Sequence, residues 1–459
     1  MVEKITDDKR LIASLQKVAF VAKQVIEEAI ADQTISLELT PYQRKNLILG
    51  WSEGLFYKPT LKFKIGFSMG RLIDQIINRE ESREALNILS AAYSKGEGHL
   101  RLFIGMLADQ YLKQYEKEQK IEDSIVQDLI NRFLKEIKGE PLKYWAKVIL
   151  LGVRLETEKV TPFQWIVLRK PREEDIWIES PVPALVPEPP SLYAFTEFTI
   201  MDIEIETTNG KALTDKIELI SKFLRLFRVG GVKTVHTFMT SEALSMVPSQ
   251  SFPLNYLPPP TPPYTVREED EERLRNFWGK IEKPLLNLYN PTQAQNNKLE
   301  HIFVANTFYE DALLREGRFE ERVAKVVMGL EALLMLEEQE ASYRLRLRAA
   351  KLLGLLGFDA VDVKNRLREA YKIRSGYVHG EFLSKEQEKS ISNKYGDQQA
   401  FLHTILDYLR LLIITSCLCK MSKNKLVKLL DDAFVDQNKN DELVANLSEA
   451  IKIAKEVKE

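Results

Sequence analysis

Apolar residues fall at helical spacing from the start of the chain. Leu11, Leu15, Val18, Val25 and Ala29 are separated by three, four and seven residues and draw one stripe. Thr40-Pro41 then reads as an N-cap followed by proline at the first helical position, which predicts further helix. Similar stripes, each with a charged opposite face, recur over 67–78, 81–93, 100–115 and 121–137. A helical N-terminal domain over residues 1–142 follows.

The texture then changes. Residues 147–155 and 163–168 are β-branched and aromatic and are joined by a polar segment containing Thr161-Pro162, which predicts a hairpin. Ile176-Trp177-Ile178 and residues 195–205 read as further strands, 211–227 as a helix and 232–238 as a strand, a small α+β middle region over 143–257. Proline-rich runs at 181–190 and 258–263 favour stiff extended backbone, and the second is expected to act as a linker over 258–265. Beyond it, residues 266–459 read as a helical domain opened by the acids Glu268 to Glu272, which complement a helix N-terminus. Its clearest stripe is Phe319, Val323, Val326, Val327, Leu330, Leu333 and Leu334, and helices at 343–356, 361–378 and 397–421 follow with short connections. The expected fold class is mainly α: a C-terminal helical bundle, a helical N-terminal region and a small α+β middle region.

Composition narrows the function little. The 459 residues are 44% hydrophobic and 29% charged, ordinary for a protein with real cores, and Lys+Arg 65 against Asp+Glu 67 leaves a net charge of -2. Any nucleic-acid surface must therefore be a local patch. The only cysteines, Cys417 and Cys419, cannot build a disulfide framework and read as buried thiols, so a cytoplasmic location is expected. The polar start does not read as a signal peptide, and the most apolar run, 411–419, is about half the roughly 20 residues that span a bilayer, so no membrane is expected. The five histidines form no metal-ligand pair, and no phosphate-binding, dinucleotide-binding or nucleophile-elbow motif occurs, so no metal or cofactor is expected.

One constellation remains, Tyr371-Lys372-Ile373-Arg374-Ser375-Gly376-Tyr377-Val378-His379-Gly380. On a regular helix Arg374 and His379 stand about 140° apart, so bringing them together requires the helix to loosen at Gly376 and Gly380. An arginine and a histidine suit phosphodiester chemistry, one as a permanently charged phosphate partner and the other as a group titrating near neutrality, while Ser375 and Tyr377 add hydroxyls. The opposing reading is a histidine that merely complements a helix C-terminus, and the spacing alone does not choose between them.

Four ordered segments carry a resemblance. Phe319-Glu320-Glu321-Arg322-Val323, Gly329-Leu330-Glu331-Ala332-Leu333-Leu334, Ser342-Tyr343-Arg344-Leu345-Arg346-Leu347-Arg348-Ala349-Ala350 and the run from Tyr371 to Gly380 resemble the Apea-like branch of the HEPN superfamily. The similar stretch, about 319–421, is under a quarter of the chain. The resemblance implies a helical domain that forms a homodimer, with two Arg-x4-His motifs facing each other as a metal-independent endoribonuclease site acting on RNA. It also implies 2′,3′-cyclic phosphate and 5′-hydroxyl products, and an effector of the phage-defence or toxin type. His379 would transfer protons and Arg374 would stabilise the charge on phosphorus. Glu331 is either an orienting partner for that pair or a partly exposed acid. Arg344 and Arg348, one turn apart with Lys351 adjacent, read either as an RNA-binding strip or as ordinary surface charge. The alternative function is a non-catalytic dimeric scaffold binding RNA or protein, and the N-terminal region is a candidate surface for a protein partner or trigger.

Overall fold

The computed structural model describes residues 2–46, 52–93, 95–181, 198–246, 249–251, 260–289, 300–337 and 339–458. The first stripe becomes one long helix, α1 (Val2–Ala31), and its buried positions Leu15, Val18, Ala22 and Ile26 pack against α3 (Glu80–Ala92) and α4 (Gly96–Glu118). The short α2 (Met69–Ile77), capped by the Ser68 hydroxyl on Arg71 N–H, and α5 (Val126–Ile137) close this core.

Thr40-Pro41 does not start a helix. Residues Ile35–Asn46 form β1 and Ser52–Phe63 form β2, an antiparallel pair in which Thr40 faces Lys58 and Pro41 faces Tyr57. The overlooked signal was the period of two in Ile35, Leu37 and Leu39 against Ser36, Glu38 and Thr40. Pro41 lies just before Tyr42–Asn46, the stretch that also pairs with β7 (Trp177–Pro181), so its missing N–H falls where β1 has one neighbour. Ile176 ends the single-turn helix α6 (Glu173–Ile176) before β7. Of the proline-rich run at 181–190, residues 182–190 lie outside the described residues, as does the start of the strand expected from residue 195.

The middle region is a six-stranded sheet, antiparallel throughout, with a different pairing from the one expected. Strand β3 (Leu142–Leu151) lies between β8 (Thr199–Thr207) and β9 (Lys233–Ser241), which also pairs with β10 (Ser249–Ser251), and β3 does not pair with the 163–168 segment. The hairpin instead joins β5 (Lys159–Phe163) to β6 (Ile166–Arg169), with Thr161-Pro162 inside β5. The unbroken burial of Val148 to Leu151 marks a strand with neighbours on both sides. Tyr144, Ala146 and Val148 face α7 (Lys211–Phe227), which spans the residues expected.

The segment at 258–265 is not a free spacer in its described part. Thr261 is buried, donates to the Leu313 carbonyl at 3.0 Å and accepts from Arg322 Nη2 at 2.6 Å. Strand β11 (Tyr264–Val266) runs parallel to β4 (Val153–Leu155), and the Tyr264 hydroxyl donates to the Leu224 carbonyl. The close approach depends on Gly152, at φ +80, where an added Cβ would lie 2.2 Å from the Gly231 carbonyl oxygen. Pro258 and Pro259 lie outside the described residues.

The C-terminal helices are α8 (Asp270–Tyr289), α9 (Glu300–Leu314), α10 (Phe319–Leu334), α11 (Ala341–Leu355), α12 (Ala360–Val378), α13 (Lys385–Tyr395), α14 (Gln398–Leu418), α15 (Lys423–Asp432) and α16 (Gln437–Glu456). Helix α14 is the axle, touching α8, α9, α10, α13 and α16. Among the described residues it is the one helix long and apolar enough to cross a membrane, and 72% of its apolar window is buried in the protein. One apolar cluster runs from Leu142 to Val457, so sheet and bundle share a core, whereas α1 to α5 enclose another. The acidic run at 268–272 does more than face a helix dipole. Asp270 is fully buried and accepts from both ends of the Arg228 guanidinium at 2.7 Å and from Arg273 at 3.0 Å. Burial would raise its pKa, but Arg228 and the Arg267 N–H hold it below the usual carboxylate range.

Candidate functional site

Helix α12 carries the candidate residues. Asp359 caps its N-terminus, accepting from Val361 N–H and Asp362 N–H at 2.8 Å each, and Val363, Leu367, Ala370 and Ile373 form the buried stripe. The helix runs regularly through Gly376 to Val378 and does not loosen as expected. It stops in a Schellman turn: Gly380 takes φ +81, its N–H meets the Tyr377 carbonyl at 3.0 Å, and Glu381 N–H reaches the Gly376 carbonyl at 2.8 Å. Gly376 is helical because the bonds spanning it are all satisfied, and the only left-handed residue of the run is Gly380. Arg374 and His379 therefore keep their angular separation, and no contact joins them within the chain.

Arg374 turns toward α10. Its Nη2 lies 3.4 Å from Glu331 Oε2, and its guanidinium carbon stands 5.6 Å from the centre of the Tyr371 ring. Its Nε is buried without a hydrogen-bond acceptor. Burial pushes the Glu331 carboxyl above its ordinary pKa, with Arg374 and a hydrogen bond from Tyr371 opposing the shift. Burial and then the Glu331 charge raise the Tyr371 hydroxyl. Glu331 is thus a partly exposed ion-pair partner of Arg374, and Tyr371, which the sequence reading did not assign, contacts both. His379 is exposed at the helix cap between Val378 and Phe382, each 57% exposed. Ser375 lines a neighbouring cleft, and Tyr377 is half-buried.

The three basic residues of α11 do not form one exposed strip. Arg348 is buried and grips both oxygens of Asp431 at 2.7 Å while its Nη1 donates to the Leu334 carbonyl at 2.8 Å. Lys351 donates to the Ala433 carbonyl, and Arg344 pairs with Glu337 and Glu340. Arg348 was misread because a two-sided helix in a bundle buries part of what looks like its charged face.

Cys417 and Cys419 are free, partly buried thiols. Burial pushes Cys417 up to about 12 and raises Cys419. Among the described residues, no group of three or more His, Cys, Asp or Glu side chains is placed to hold a metal ion. Sequence reasoning also passed over α13, although Ser384-Lys385-Glu386-Gln387 spells a capping box, realised with Gln387 N–H on the Ser384 hydroxyl and Ser384 N–H on the Gln387 side chain. No protein-family model matches the chain, and no curated protein or solved structure is similar to it.

Proposed function

We propose that the protein is a metal-independent HEPN-type endoribonuclease whose site is completed by a second copy of the chain, acting as a defence or toxin-type effector. The observation that carries the reading is the state of Arg374: a guanidinium held half-buried by Glu331 and Tyr371, with Nε unpaired, at the helix end that also presents an exposed His379. Within one chain the two groups diverge. Across a two-fold axis, the arginine of one copy can face the histidine of the other, and the exposed Val378 and Phe382 give such a contact an apolar rim.

In the proposed step one His379 takes the proton of a ribose 2′-hydroxyl as its oxygen attacks the adjacent phosphorus. The bond from phosphorus to the 5′-oxygen breaks, and the other His379 protonates that leaving oxygen. Arg374 supports the charge gathered on the non-bridging oxygens. The products are a 2′,3′-cyclic phosphate and a 5′-hydroxyl. Purified protein incubated with a mixed RNA pool and chelator tests the reading: cuts bearing those ends are expected, and intact RNA under all conditions overturns it. The rival scaffold reading draws on the same ion pair, since Arg374 is already charge-compensated by Glu331. It predicts RNA or protein binding without cleavage.

A further inference from the structure

Helix α12 has a second face, turned away from Glu331. Glu369, Lys372 and Gly376, spaced along one face, line a cleft of about 450 Å³ bounded by α13 and by the Glu381–Leu383 turn. Ser375 opens into the same cleft, and His379 follows Ser375 by four residues and Lys372 by seven. Helix geometry therefore sets His379 above this cleft, on the side away from Arg374.

Much of the polar lining is already committed. Glu320 accepts from Leu383 N–H at 3.2 Å, and Glu369 pairs with Lys372 at 3.4 Å. Glu381 and Lys394 are exposed, and among the described residues neither side chain has a hydrogen-bond or ion-pair partner. Gly376 leaves room for the first of them: an added Cβ there would meet Glu381 Oε2 at 3.7 Å, so the carboxylate lies over bare helix backbone. Tyr395 borders the cleft, its ring held between the Arg366 guanidinium at 4.5 Å and the Phe401 ring.

We propose that this cleft is a base pocket selecting guanine next to the scissile phosphate. A carboxylate offers two acceptors side by side, and guanine alone among the four bases presents two adjacent donors, N1–H and N2–H, on its Watson–Crick edge. Adenine and cytosine place a lone pair beside their amino group and would be repelled by the second oxygen. Uracil flanks its single N–H with carbonyls. Guanine O6 and N7 are acceptors matched to the free Lys394 ammonium. A net-acidic cleft also repels the phosphate itself, which leaves the phosphate to Arg374 and admits the base.

The inference rests on the ribonuclease reading for RNA as its ligand, and its test separates the two. Uncleavable 2′-O-methyl oligouridines carrying one G, A or C, and the all-uridine strand, are titrated against the full chain. The G probe is expected to bind roughly tenfold tighter than the others or better. Glu381→Gln and Lys394→Ala, both at exposed positions, are each expected to remove most of that preference, read as the ratio of G-probe to all-uridine affinity. Equal binding of the four probes, binding of none, or a preference untouched by both substitutions overturns the pocket. A G preference in a protein that leaves ribose RNA intact sinks the ribonuclease reading and keeps the pocket; cleavage without base preference does the reverse.

Discussion

Replacing Arg410 with methionine tests whether sheet and bundle are one folding unit. Among the described residues Arg410 is the largest fully buried side chain, and all five of its N–H groups are used. Nε and Nη2 donate to Asp407 Oδ1 at 2.9 and 2.5 Å, Nη1 to the Leu226 and Phe227 carbonyls at 2.8 Å each, and Nη2 also to the Val457 carbonyl at 2.9 Å. One guanidinium on α14 thus closes the end of α7 under the sheet and the end of α16. Methionine keeps the apolar stem but strands the Asp407 carboxylate, whose side chain is 9% exposed. Breaking a buried pair in this way costs roughly 3 to 5 kcal/mol, a large part of the roughly 5 to 15 kcal/mol that holds a domain folded. Urea unfolding should be followed by far-UV circular dichroism, which reports the helices, and by tryptophan fluorescence, to which Trp145 in β3 and Trp165 in the β5–β6 turn contribute. The variant is expected to lower both midpoints together, and Asp407→Leu combined with Arg410→Met should recover about half of the loss because no buried charge is then left alone. A loss below about 1 kcal/mol, or a sheet signal that stays put while the helical one moves, would refute the shared core.

Four further outcomes are expected. His236 is 1% exposed and burial holds it at about 4, below the roughly 6.5 of the unfolded chain, so its contribution to stability is complete above about pH 6.5 and is lost as pH falls toward 4. Wild type should lose about 2 kcal/mol more than His236→Leu between pH 7 and pH 5 in parallel denaturant titrations, and equal losses would show that this histidine is not the proton acceptor. Gly152→Ala should cost roughly 2 to 4 kcal/mol, because the new Cβ meets the Gly231 backbone at a left-handed φ, and an unchanged melting temperature contradicts this. Arg374→Ala and His379→Ala should each cut RNA cleavage about 100-fold or more with circular dichroism unchanged, and full activity in either one removes that residue from the mechanism. Specific activity should fall on dilution as sedimentation shows dimers giving way to monomers; constant specific activity from a monomer rules out the composite site.

The sequence was most legible where one periodicity ran long and undisturbed. Helix α7 ends where its stripe ends, and α10, α11, α12 and α14 lie within a few residues of their expected places, since packing in a bundle reinforces local propensity. It misled where a short signal competed with a tertiary one. Thr40-Pro41 outweighed a period of two because the strand is completed only by its partner β2, and nearest-neighbour pairing was assumed for β3 although its true neighbours β8 and β9 come from far along the chain. Charged residues were read as surface by default, and Arg348, Asp270 and Arg410 show why that fails: each lies buried among partners contributed by other segments, which no local pattern displays. The same limit governs the candidate site. Arg374 and His379 were legible as a motif, but their divergence depends on whether Gly376 breaks the helix, and backbone hydrogen bonds decide that. Because the helix holds to its end, the pair can act on one phosphate only if a second α12 comes to meet it. In the proposed dimer the exposed Val378 and Phe382 beside His379 would then matter as much as the histidine, because they would form the contact that brings the second arginine into reach.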